Sequence, residues 1–273
     1  MTATSVRQPA VAGRFYPRDP AELGEEVRGY LSQTPPQARL RALGCMVPHA
    51  GYMYSGHVAG AVFARLEIPR FCLVLCPNHT GVGRALAIMS EGEWETPLGK
   101  VPIDSAFAAA LKQRYPLLQE DSTAHRTEHS AEVELPFLQV CQPQLRFVPI
   151  TLGTGQFEVI EQLGDAIADV IAAQSSPVLI VASSDMNHYE SDAVTRVKDH
   201  RAIEPILALD ARTLYDVVTG QHISMCGFGP AVAMLTAVRK LGATSAELVK
   251  YATSGDISGD LDKVVGYAGI IVR

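Results

Sequence analysis

Apolar residues in this chain gather into short runs separated by stretches where they recur every three to four positions. The runs are 42–47 (ALGCMV), 71–76 (FCLVLC), 85–89 (ALAIM), 147–152 (FVPITL), 178–182 (VLIVA), 247–253 (ELVKYAT) and 265–272 (VGYAGIIV). Each has strand length and is largely apolar, the pattern of strands covered on both faces. Between them, 156–173, 192–209 and 230–241 carry helical spacing. Asp19 followed by Pro20 supplies an N-cap and a first-turn proline for a helix over 20–33, and Asp104 caps one over 105–114. Alternating strands and helices predict an α/β fold with a central parallel or mixed sheet flanked by helices. No repeat, charge block or Ser/Gly/Pro linker interrupts the pattern, so 1–273 is expected to form a single domain.

Composition narrows the function classes. The net charge is −6 and Lys and Arg never run together in fours, so no nucleic-acid footprint is expected. No apolar stretch approaches the ~20 residues of a membrane span. The first residues lack a continuous apolar segment, so no signal peptide is expected. Five cysteines, an odd number, point to a reducing cytoplasm. Cys45, Cys72 and Cys76 sit in strand runs and read as small buried hydrophobes. Cys72 and Cys76 share a strand face but lie ~13 Å apart, too far for one ion.

Open α/β sheets bind ligands beyond the carboxyl ends of their strands. The runs ending at Val47, Cys76 and Ala182 are each followed within six residues by a histidine: His49 in VPHAGYMYSG, His79 in LCPNHTGVG and His188 in VASSDMNHYES. Imidazole is the commonest metal ligand and the usual base near neutral pH. Asp185 precedes His188 by three positions. Cys226, in HISMCGFGPAVAML, lies outside a strand, and Pro230 fits the first position of the helix that follows. A thiol near a helix N-terminus is pushed toward thiolate, the form that binds metal. The segment TEHSAEVELPFLQ offers His129 and Glu132 for the edge of a pocket. Alternatively, Ser130 caps a short helix with Glu132 and Glu134 in its first turn. Trp94, Tyr52 and Tyr54 are candidate pocket aromatics. His57 and His125 are expected to face solvent or cap turns, and His200 and His222 to lie on the surface. Phosphate-loop and nucleophile-elbow signatures are absent.

The segments PAVAGRFYP, VPHAGYMYSG, CPNHTG, EHSAEVELPF, SSDMNHY and MCGFGP occur in that order. Together, across about residues 8–272, they resemble the Memo family, whose bacterial and archaeal members are called AmmeMemoRadiSam system protein B. That family is similar in fold to class III extradiol dioxygenases (LigB-like). In those enzymes two histidines and a glutamate hold non-haem Fe(II). The resemblance implies that His49 and His79 are metal ligands here and that Cys226 replaces the glutamate. It implies that His188 is the acid/base, with Asp185 and His129 beside it. Val11 stands where eukaryotic members carry a histidine, so no role is expected there. A donor set of two imidazoles and a thiolate is softer than one with a carboxylate and accepts Fe(II), Cu or Zn.

The resemblance leads to a cytoplasmic metalloprotein with a dioxygenase-like pocket for a small molecule, tied to radical-SAM and AMMECR-type partners. A second reading, also from the family, is a non-enzymatic module binding a peptide or phosphopeptide. A third is a metal-dependent hydrolase using zinc-bound water.

Overall fold

The computed structural model describes residues 5–35 and 38–273. The chain begins with β1 (Val6–Arg7), α1 (Pro20–Ser32), β2 (Gly44–Val47), α2 (Tyr52–Arg65) and β3 (Phe71–Pro77). Short pieces follow: β4 (Leu86–Ile88), β5 (Glu93–Thr96), β6 (Gly99–Pro102), α3 (Ser105–Arg114) and β7 (Gln119–Glu120). Then come α4 (Leu135–Cys141), β8 (Arg146–Leu152), α5 (Phe157–Ala172), β9 (Val178–Ser183) and β10 (His188–Glu190). The last part holds α6 (Asp192–Leu207), α7 (Ala211–Gly220), α8 (Phe228–Lys240), β11 (Ala246–Thr253), α9 (Gly255–Ser258) and β12 (Val264–Val272).

All seven apolar runs are strands. They form most of a mixed sheet ordered β10-β12-β2-β9-β3-β8-β4-β7, with β11 paired to β12. The middle four strands, β2, β9, β3 and β8, are mutually parallel and almost wholly buried. Such strands need helices on both faces. Gly44 on β2 meets Met234 and Val238 of α8, while Gly269, on the opposite pleat of β12, meets Val58 and Val62 of α2. Helix α5 packs on α8, and α1 on α2. One continuous hydrophobic cluster runs through these layers.

The predicted caps form. Asp19 accepts from the amides of Ala21 and Glu22, and Asp104 from that of Phe107. Helix α8 starts two residues before Pro230, which still sits in the first turn, where no amide donor is needed. Register fixes what matters for function. Val47 pairs with Ser183, and Leu75 with Ala182, so β2, β9 and β3 end side by side at one level.

The N-terminal segment is strapped across this end by a buried ion pair. Arg7, 6% exposed, pairs with Glu132, which is fully buried. Glu132 also accepts from the amides of Ala10 and Val11 and from the Tyr16 hydroxyl at 2.5 Å. Arg7 donates further to the carbonyls of His125 and Glu128 at 2.9 and 2.7 Å and stacks over Trp94 at 4.2 Å. This corrects three expectations. Glu132 is an anchor for the strap and not a pocket residue. Ser130 caps no helix; its hydroxyl donates to Glu128, and α4 begins only at Leu135. Trp94 is a core residue with no exposure.

His125, expected to face solvent or cap a turn, is instead fully buried, with Nδ1 2.9 Å from the Thr151 hydroxyl. Burial, aided by the nearby Arg7 charge, lowers its pKa to about 4. The unfolded chain therefore takes up this proton first. Stability is complete above the usual histidine value of about 6.5 and falls as pH drops toward 4, by about 3 kcal/mol in all. Urea unfolding at pH 7.5 and pH 4.5 should show wild type losing about 3 kcal/mol more than His125→Asn on acidification. Equal losses would assign the acid sensitivity elsewhere.

Candidate metal centre

The loops leaving β2 and β3 bring His49 and His79 together, and the loop before α4 adds His129. Ligand nitrogens of the three lie within 4.8 Å of one another. The His79 and His129 rings stack at 4.8 Å, and His49 stands edge-on to them at 5.1 and 5.4 Å. Two nitrogens sharing a tetrahedral ion at about 2.1 Å are about 3.4 Å apart, so modest side-chain rotation closes the cluster on one ion.

Hydrogen bonds decide which nitrogen each ring presents. Glu128, 1% exposed, accepts the His79 amide at 2.6 Å and His79 Nδ1 at 2.9 Å. Burial pushes the Glu128 carboxyl up, but the bonds from His79 and Ser130 outweigh it and hold it at about 2. A charged carboxylate behind Nδ1 leaves His79 Nε2 as the lone pair facing the cavity, the usual outer support of a metal-bound imidazole. His129 Nδ1 lies 3.4 Å from the same carboxylate.

His49, 1% exposed, places Nδ1 2.7 Å from the Ser183 hydroxyl at the end of β9. That hydroxyl also lies 2.7 Å from the Ser130 carbonyl and 3.0 Å from Glu134 Oε1. It has one proton and two lone pairs. Glu134 is fully buried, and burial raises its pKa well above the carboxylate range, so it keeps its proton. All three contacts are satisfied if Ser183 donates to Ser130 and accepts from both Glu134 and His49 Nδ1. His49 then also turns an Nε2 lone pair inward. Burial, together with the neighbouring His129 and His79, holds His49 neutral, and burial lowers His129 likewise. Neutral imidazole is the metal-binding form.

The cavity over the cluster measures about 290 Å³. Phe15, Gly51, Asp185, His188, Tyr189 and Val265 line it beside the three histidines. Asp185 Oδ1 accepts the His49 amide at 2.8 Å. Burial raises its pKa to about 6 despite the nearby His188. His188 is clamped by Ser224: its amide donates to the Ser224 hydroxyl at 2.8 Å and Nδ1 to the Ser224 carbonyl at 2.9 Å. Its Nε2 is left for the cavity. Tyr189 is 72% exposed at the rim, with φ of 63°, a conformation costly for a tyrosine.

Cys226 Sγ lies 3.3 Å from His49 Nε2 and 3.6 Å from the Asp185 carbonyl, outside the close histidine group. Gly227 presses so closely on Ser183 and Ser184 that no Cβ would fit, which pins Cys226 at this depth. Burial, with Asp185 beside it, raises the thiol pKa well above its usual value. The expected push toward thiolate from the start of α8 is thus outweighed in the protein alone.

The aromatic candidates lie elsewhere. Tyr52 is core, its hydroxyl donated to the Val133 carbonyl, and Tyr54 packs with Val58, Ala252 and Tyr267. Sequence reading passed over Glu128, Ser183, Ser224, Phe15, Tyr189 and Val265. Only Glu128, next to His129, and Ser183, at a strand end, carried a local signal. Ser224 reaches His188 from 36 positions away.

Glu128→Gln tests the support directly. It presents an amide donor to the His79 N–H and removes the charge that would balance an ion. Chelator-competition titrations should show metal affinity about 10–100-fold weaker. Unchanged affinity would mean that His79 is not held as described.

A family model described as Memo-like protein matches residues 7–271. A MEMO1 family protein of Methanopyrus kandleri is 44% identical over 280 residues, covering 98% of this chain and 99% of its own. One from Methanothermobacter thermautotrophicus is 41% identical, covering 96% of this chain and 99% of its own. The crystal structure of an uncharacterized protein from Escherichia coli K12 superposes with a TM-score of 0.53 over 85% of this chain and 100% of that one. At 13% identity that likeness concerns the fold alone.

Proposed function

The chain belongs to the Memo-like protein family, and from that premise we propose a mononuclear metalloprotein whose dioxygenase-like pocket acts on a small molecule within the AmmeMemoRadiSam system. The observation that carries this reading is the group of three imidazoles whose ring nitrogens lie within 4.8 Å of one another, backed by a buried, charged Glu128 and a satisfied Ser183. The residues fit an ion: imidazole nitrogen donors, a carboxylate hydrogen-bonded behind His79, and a cavity beside them.

His49 and His79 belong to every plausible donor set. His129 is the third donor by distance, and Cys226 is the third by family resemblance. Bound there, Fe(II) or Cu would supply redox chemistry toward dioxygen, and Zn²⁺ a Lewis acid. The chain's own residues do the rest. His188, fixed by Ser224 through Nδ1, accepts or returns a proton at Nε2. Asp185 holds the His49 backbone and brings a second titratable group to the same wall. Phe15 and Val265 supply apolar surface for a ligand body. A cavity of about 290 Å³ sits at the lower end of small-molecule sites and favours a compact substrate over a peptide.

Anaerobic titration of Fe(II), Cu(I) and Zn²⁺ into wild type, His129→Ala and Cys226→Ala tests the assignment. Retention in His129→Ala with loss in Cys226→Ala gives the third place to the thiolate; the reverse gives it to His129. No uptake by wild type overturns the reading. Turnover that consumes no dioxygen would move the activity to hydrolysis.

A further inference from the structure

A second cavity, larger than the metal pocket, lies elsewhere on the molecule. It measures about 550 Å³ and lies behind the N-terminal strap, lined by Ser5–Val11, Arg14, Met89, Ser122, Arg126 and Thr127. Its lining contains three arginines and no carboxylate, in a chain of net charge −6. Arg7 is already committed to Glu132. Arg14 and Arg126 are exposed and, among the described residues, make no ion pair and no side-chain hydrogen bond. An adjoining cavity of about 410 Å³ shares Arg14 and adds Arg18; its one acid, Glu95, is engaged by the Gln8 amide at 2.7 Å. Val6, Pro9, Val11 and Met89 give the larger cavity an apolar floor.

Its position is as telling as its charge. Arg14 lines this cavity while its neighbour Phe15 lines the metal pocket. Thr127 lines this cavity while His129, two residues on, lines the metal pocket. The two hollows therefore share a thin wall built from residues 14–15 and 127–129.

We propose that this cavity is a binding site for a small organic anion, its charged group held between Arg14 and Arg126 and its apolar body on Val6, Pro9, Val11 and Met89. Unpaired guanidiniums facing a concavity without acids form charge-assisted hydrogen bonds to carboxylate or phosphate, often two at once. The serine, threonine and glutamine on the rim supply neutral donors. An occupant rests on the back of the wall that holds Phe15 and His129, so its binding bears on the shape of the metal pocket.

Trp94 is the single tryptophan, and two cavity residues touch it: Arg7 stacks on its ring, and Met89 Sδ accepts its indole N–H at 3.3 Å. Metal-free protein is titrated with benzoate, phenyl phosphate and, as a neutral control, benzyl alcohol. Trp94 fluorescence and the amide resonances of Arg14 and Thr127 are followed. Saturable binding of one or both anions is expected, at least tenfold tighter than the control. The tighter of the two identifies the charged group as carboxylate or phosphate. Arg14→Gln/Arg126→Gln should weaken it at least tenfold with the unfolding midpoint unchanged. Anion binding no better than benzyl alcohol, equal binding by the double variant, or no saturable change in either readout overturns the proposal. Because no metal is present, failure here leaves the metal reading untouched, and failure of the metal reading leaves this result standing.

Discussion

His79→Ala should reduce metal affinity by more than ~100-fold, beyond the loss expected when only an outer-shell support is removed. The reason lies in how little else the change disturbs. His79 is partly exposed at the cavity edge, its side chain 32% accessible. Its backbone amide still donates to Glu128, and Glu128 keeps both Ser130 donors, so the loop stays in place. What disappears is one of the imidazoles that converge on a single point. Chelator-competition titration reads the loss, and circular dichroism verifies that the fold persists. His49→Ala is a poorer probe, because His49 is buried and its removal strands the Ser183–Glu134 arrangement. An affinity unchanged by His79→Ala would place the ion somewhere other than this pocket.

Arg7→Met should destabilise the protein by about 3–5 kcal/mol, the cost of leaving one charge of a buried pair without its partner. Glu132 would keep the amides of Ala10 and Val11 and the Tyr16 hydroxyl, yet no positive charge. The His125 and Glu128 carbonyls would lose their donor as well. Urea denaturation measures the loss. Arg7→Met combined with Glu132→Leu should cost less than the sum of the two single changes, because the stranded charge is then gone. Since the strap carries Phe15 to the pocket, Arg7→Met should also loosen metal binding at temperatures where the fold survives. A loss below about 1 kcal/mol would show that this pair is not the fastening described.

The middle of the sheet was legible because β2, β3, β8 and β9 are buried on both faces and so must be apolar almost throughout, whereas β11 is a half-buried edge strand carrying Glu247 and Lys250. All seven runs are strands within a residue or two of their predicted limits. The unread strands, β1, β5, β6, β7 and β10, run from two to four residues and hold too few side chains to show a period, and the ten-residue helix α7 was also passed over. His49, His79 and His188 were found by position, since parallel strands with matched register must end together. His129 was visible as a motif, but its distance from the others depends on how the loop before α4 folds, and that is set by Arg7 from the other end of the chain. Tyr52 illustrates the opposite error. It closely follows a candidate metal ligand, His49, but the helix starting there turns its ring into the core. His125 and Glu132 were misplaced for one reason. A buried polar side chain is recognised by its partners, and these are distant in sequence: Arg7 lies 125 positions from Glu132, and Thr151 lies 26 positions from the His125 ring it bonds.

X-ray absorption at the metal edge, on protein loaded anaerobically with one equivalent of Fe(II), Cu(I) or Zn²⁺, tests the central claim most directly. The account predicts a first shell containing at least two imidazole nitrogens at about 2.0–2.1 Å, lost when His49 and His79 are both replaced by alanine. A shell of oxygen atoms alone, or a spectrum unchanged in that double variant, would contradict it.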